Sequence, residues 1–138
     1  MSARSVTLRG QRRAESLMVD TLIVERQTGE AMDPDTLEMV PVFDTVYEGK
    51  GRIQRWDGAG SGSEPVVGSV EFGLDTFFAQ LPISVVGVLA HDRVRVLASP
   101  LDDSLAGLTG TVRSAKGKTH ATKRVLLCEE VSYGDVNL

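Results

Sequence analysis

"TLIVERQ" occupies residues 21–27, and the reading of this stretch decides the fold. Before it, residues 3–18 ("ARSVTLRGQRRAESLM") have the spacing of a helix. Val6, Gly10, Ala14, Leu17 and Met18 fall near one face, while Arg9, Arg12 and Arg13 lie off it. After Asp20 the period drops to two and β-branched residues take over, so the chain changes from helix to strand. Gly10 costs the helix up to about 1 kcal/mol relative to alanine, which means that the helix needs a surface to pack on.

Downstream the period of two recurs. Residues 28–38 ("TGEAMDPDTLE") carry turn signals at Gly29 and at Asp33-Pro34-Asp35. "VPVFDTVYEGKGRIQRW" (40–56) reads as two strands folding back around Glu48-Gly49-Lys50. Val66, Gly68, Val70, Phe72 and Leu74 alternate with small or polar neighbours, the clearest half-buried strand pattern in the sequence. Val94 and Val96 alternate with Arg93 and Arg95 to give a strand over 92–98, and residues 100–110 form a connection with room for one helical turn. "TVRSA" (111–115) and "TKRVLLCEEV" (122–131) are the last two strands. The expected fold is mainly β: one domain over 1–138, with a helix at 3–18 and a small antiparallel β-barrel of six to seven strands over 20–132. Residues 57–64 ("DGAGSGSE") have the composition of a flexible loop, and 133–138 that of a tail.

Composition bounds the function. A chain of 138 residues suggests a single domain with a real core. Its 15 basic and 19 acidic side chains give a net charge of −4, so the whole molecule is not a basic nucleic-acid binder. No apolar run approaches the length of a membrane span, and the N-terminal arginines have no apolar segment behind them, so neither a membrane anchor nor a signal peptide is expected. Cys128 is the single cysteine, which fits a reducing compartment.

Residues 110–119, "GTVRSAKGKT", invite comparison with a phosphate-binding loop. The comparison fails on spacing: the glycine such a loop needs would stand where Val112 is, and a strand follows where a helix should open. His91 and His120 have no metal-ligand spacing with Cys128, which itself looks like a small buried hydrophobe. Asp102-Asp103 and Glu129-Glu130 are adjacent pairs, which strand geometry sends to opposite faces. Asp33 and Asp35 suit a turn better than a calcium loop, which demands a denser array of oxygen ligands. No catalytic residue, cofactor site or metal site is expected, and the chain reads as a non-enzyme.

Charge placement carries more information. Residues 27–49 hold six acids (Glu30, Asp33, Asp35, Glu38, Asp44, Glu48) and no base. Residues 113–124 hold five bases (Arg113, Lys116, Lys118, Lys123, Arg124) and no acid. Two solvated faces would explain this. The sharper expectation is that Glu30, Asp33, Asp35 and Glu38 of one copy meet Arg113, Lys116, Lys118 and Lys123 of the next in a head-to-tail contact that closes into a ring. Apolar anchors would also be needed, and Phe77, Phe78 and Leu81 are the candidates, although a core role explains them better. Nucleic-acid binding through the basic hairpin 113–124 is the alternative, weakened by the lack of stacking aromatics there.

Taken in order, "RRAESLMVDTLIVERQTGE" (12–30), "DPDT" (33–36), "VYEGKGRIQ" (46–54), "HDRVRV" (91–96) and "KTHATKRVLLCEEV" (118–131) resemble the head-to-tail connector proteins of tailed phages that infect actinobacteria, the head-closure or stopper subunits of the virion neck. The resemblance covers about residues 10–131, and departs at Gly51, where the family often has a polar residue or cysteine, and at Gly117-Lys118, where it has His-Lys. It implies a structural virion protein made in the host cytoplasm: a small β-barrel with an added helix and long loops. Six or twelve copies would form a ring between the portal-side adaptor and the tail-terminator or tail-tube proteins, with the genome DNA passing through the lumen. It also implies a lumen or gate role for Gly58, Gly60, Ser61, Gly62 and Ser63, and it makes Arg9, Arg12 and Arg13 candidates for contact with the adaptor.

Overall fold

The computed structural model describes residues 2–55, 76–115 and 117–131. One helix, α1 (Ala3–Ser16), precedes six strands: β1 (Asp20–Met32), β2 (Met39–Arg55), β3 (Thr76–Leu81), β4 (Arg93–Ala98), β5 (Thr109–Ser114) and β6 (Arg124–Glu130). All neighbouring strands pair antiparallel, and the ring closes in the order β1-β2-β3-β6-β5-β4 through pairing of β4 with β1. The mainly β class, the N-terminal helix and the barrel are as the sequence indicates.

Alternation fills the barrel. Leu22 and Val24 of β1, Phe77, Ala79 and Leu81 of β3, Val94 and Val96 of β4, Val112 of β5, and Leu126 and Cys128 of β6 all point inward and are buried. A barrel of this size has an interior that side chains fill completely, so it is a packed core and not a channel. Two close approaches make the packing possible. A Cβ at Gly110 would lie 2.5 Å from the Phe77 ring, and one at Gly51 would lie 2.3 Å from Leu22 Cδ1. Gly51 is therefore a buried position within β2 and not a strand-end position, and a cysteine or polar side chain there requires Leu22 to move.

Two strand expectations need correction. Residues 40–56 were expected to form two strands, but β2 runs unbroken through Glu48-Gly49-Lys50, pairing Glu48 with Ile23, Gly49 with Leu22 and Lys50 with Thr21. The glycine is tolerated inside the ladder because pairing with β1 supplies what local propensity lacks. Gly29 likewise belongs to β1, opposite Val42, and only Asp33-Pro34-Asp35 makes the turn. The segment "TFFAQL" is a core strand, as the better of its two readings has it: Phe77 and Leu81 are buried and Phe78 half-buried, so the first two are not ring anchors. The strand expected at 66–74, the loop 57–64 and the tail 133–138 lie outside the described residues. The helical turn expected between β4 and β5 is a 3-10 turn at Asp103–Leu105, capped by Asp102, whose carboxylate accepts from the Ser104 N–H at 3.0 Å. Those bonds to Ser104 hold the Asp102 carboxyl below its ordinary value.

Helix α1 has no buried residue. It lies on the link between β5 and β6. Thr7 Oγ1 is 3.0 Å from His120 Nδ1, Gln11 Nε2 donates to the Ala121 carbonyl at 3.2 Å, and Gly10 rests against Thr122. Near its C-terminal end, Glu15 pairs with Lys50 of β2 at 3.0 Å. Gly10, Ala14 and Met18 face inward as expected, but Val6 and Leu17 are exposed because the contact stripe follows Thr7, Gln11 and Ala14.

Two measurements check this packing. Replacing Gly110 with alanine forces Phe77 off its position and should cost about 1–3 kcal/mol in denaturant unfolding. Gly29→Ala has open space and should stay within about 0.5 kcal/mol of the parent. Burial pushes the Cys128 thiol from an ordinary 9.0 up to about 12. The unfolded chain therefore loses this proton first, so the thiol's contribution is intact below about pH 9 and declines as pH rises toward 12. Cys128→Ala should flatten that alkaline decline, and the native thiol should react with a thiol reagent only as fast as the protein unfolds.

Candidate functional site

The strands differ in length, and this difference builds the most prominent surface of the molecule. β4 pairs with β1 only over Thr21 to Glu25, and β3 pairs with β2 only over Arg52 to Arg55. From Arg26 to Met32, β1 has β2 as its single partner among the described strands, so the β1–β2 hairpin leaves the barrel as a two-stranded arm. Seven residues at strand rise carry it roughly 20 Å. Pro41 lies within the arm, opposite Glu30. Proline lacks the N–H that a doubly paired strand needs, so its place is an edge.

Two bulges aim the arm. Opposite Val24 and Glu25 the register skips Val46, and between Gln27 and Gly29 it skips Thr28. Each extra residue bends the ribbon and raises its twist. Ion pairs then hold the root on both sides. Arg26 donates through Nε and Nη2 to the two carboxylate oxygens of Asp92, each at 2.9 Å, and through Nη2 to the Gly87 carbonyl at 2.6 Å. Asp92 is 3% exposed and also accepts from the Leu89 N–H at 2.8 Å. That bond to Asp92 raises the Arg26 pKa further above its ordinary value. Glu25 accepts from Arg93 at 2.8 Å and from Arg95 at 3.3 Å, and the Arg93 guanidinium lies 3.6 Å from the centre of the Phe43 ring.

Beyond the root the arm is exposed and largely apolar. Met32 pairs with Met39 and Ala31 with Val40, and Met32, Met39, Val40 and Val42 are exposed to solvent. The turn is closed by the Asp33 N–H donating to the Glu38 carbonyl at 2.8 Å and by the Leu37 N–H donating to the Asp33 carbonyl at 2.7 Å. Asp33 Oδ1 accepts from the Asp35 N–H at 2.9 Å. Leu37, 71% exposed, sits at φ 61°. Glu30, Asp33, Asp35 and Glu38 thus surround an apolar tip, and none of the four forms an ion pair among the described residues. The sequence revealed the acids. It did not reveal the arm, because length mismatch is a property of strand pairing.

The basic candidates are scattered differently. Arg113 pairs with Glu129 at 2.6 Å, and Arg124 Nε donates to the carbonyls of Ile83 and Val85. Lys118 is exposed, Lys123 half-buried, and Lys116 lies outside the described residues, as do Gly58, Gly60, Ser61, Gly62 and Ser63. Arg9, Arg12 and Arg13 are exposed on α1 and form no ion pair among the described residues. The adjacent acids behave as alternation requires, Glu129 pairing with Arg113 and Glu130 with Arg55. His91 and His120 occupy turns at φ 76° and 61°. Among the described residues no group of three or more His, Cys, Asp or Glu side chains is placed to hold a metal ion.

The root pairs can be checked directly. Arg26→Ala removes the bidentate contact and should speed hydrogen exchange of amides in 26–32 and 39–46 by roughly tenfold, with Leu22 and Val24 unchanged.

Comparison with known proteins places the fold. No curated protein matches the chain. Among solved structures, protein SF1141 from Shigella flexneri 2a is similar in fold, with a TM-score of 0.53 at 14% identity over 84% of this chain and 95% of that one. A family model described as a family of unknown function, DUF6093, matches residues 10–129, which take in the second half of α1 and all of the described strands except the last residue of β6, and the chain belongs to that family.

Proposed function

We propose that this chain is a structural subunit of a tailed-phage neck. Copies assemble into a ring between the portal-side adaptor of the DNA-filled head and the tail-terminator or tail-tube proteins, and the ring helps to retain the genome in its lumen. The observation that carries this reading is the arm. A two-stranded ribbon is marginally stable by itself, and this one exposes methionine, valine and leucine side chains that water does not favour. Such an element suits a chain whose resting place is against another protein. The packed barrel interior supports the same reading, since it leaves the outer surface to do the work. The resemblance of the ordered segments between residues 10 and 131 to head-closure proteins supplies the virion context.

The test is location. In density from purified particles of the phage that encodes it, the chain should occupy the junction of head and tail in a closed ring. A defective copy should yield heads and tails that do not join. A chain absent from purified particles ends this reading, whatever its fold.

A further inference from the structure

We infer that the arm tip of one copy docks into the groove between α1 and the β5–β6 link of the next copy; this rests on the ring reading above and specifies its contact. The groove measures about 310 Å³ and is lined by Arg4, Leu8, Ile83, Lys118 and Arg124, among others. Its chemistry mirrors that of the tip. Leu8 gives it an exposed apolar wall, and Arg4 and Lys118 form no ion pair among the described residues. Arg12 extends the stripe of Arg4 and Leu8 by one further turn, since residues four apart share a helix face. The tip brings Leu37, Met32 and Met39 rimmed by Glu30, Asp33 and Glu38.

Topology separates the two surfaces. β1 and β5 run the same way, each antiparallel to β4, so the β1–β2 hairpin and the β5–β6 link leave the same end of the barrel, on walls half a turn apart in the ring order β1-β2-β3-β6-β5-β4. Complementary surfaces at two separate places on one subunit are what a heterologous, ring-closing contact needs. Leu37 adds a separate indication. A leucine in the left-handed region is strained, and glycine or asparagine would fill the turn at lower cost. Holding a large apolar side chain there, exposed, is the mark of a residue kept for what it touches. Charge alone would give a weak, salt-sensitive contact, whereas apolar tip residues entering a groove supply burial toward the roughly 1,000 Å² that a specific interface needs.

The test uses the full chain carrying Leu37→Cys mixed with the full chain carrying Leu8→Cys under mild oxidation; Cys128 is buried and can remain. The expected result is a covalent heterodimer, lost when Asp33 and Glu38 are both changed to lysine and restored when the partner carries Arg4→Glu and Lys118→Glu. Leu37→Cys linking equally well to Leu101→Cys, an exposed control site, overturns the docking. So does a heterodimer indifferent to both charge reversals, as does an Arg4→Glu and Lys118→Glu chain that loses DNA binding but still cross-links in full. The two readings fail separately. A chain found as a ring in particles with no Leu37–Leu8 link refutes the docking alone. A chain that cross-links as expected yet is missing from particles refutes the neck role alone.

Discussion

The pairing of β1 with β4 governs this molecule. It closes the ring, and it stops at Glu25. Up to that residue β1 has partners on both edges and contributes the fully buried Leu22 and Val24 to the core. Beyond it β1 has β2 alone, and the hydrophobic interior gives way to an exposed ribbon. One strand thus belongs to two environments, and the boundary between them is where its second neighbour ends.

That boundary is reinforced by charge. Arg26 and Glu25 are consecutive, so they project to opposite faces of the ribbon. Each finds partners in the segment 87–95: Arg26 at Asp92 and Gly87, Glu25 at Arg93 and Arg95. The arm is therefore fixed at its root on both faces while its tip is left to solvent. Because Asp92 is buried and accepts from both Arg26 and a backbone N–H, its charge is compensated in place, which a lone buried carboxylate would not be. The root behaves as part of the barrel, while Met32, Leu37 and Met39 at the tip are exposed.

The helix illustrates how weakly a local pattern specifies a contact. Its periodicity marks residues 3–18 as helical, and Gly10 signals that the helix needs a surface to pack on. The partner turned out to be the β5–β6 link, with polar Thr7 and Gln11 making the contacts and Val6 left outside. An apolar residue near the expected stripe had less influence than hydrogen bonds available from His120 and Ala121. The basic run 113–124 shows the same limit. As a string it looks like one patch, but strand alternation and the turn send Arg113 to Glu129 and Arg124 to backbone carbonyls, leaving Lys118 exposed.

The period-two alternation at 92–98, 111–115 and 122–131, the change of period at residue 20, and the Asp33-Pro34-Asp35 turn were legible in the sequence by itself, because they are set by each residue's own geometry and by whether its neighbours alternate. The class of fold follows from them. That Gly29 and Gly49 lie inside ladders, that "TFFAQL" is a core strand, and that the acidic stretch stands on a projecting arm were decided only by the tertiary structure. Those outcomes depend on which strand lies alongside and how far it extends. Such pairing joins residues distant along the chain, and no local stretch of sequence records its own partner's length.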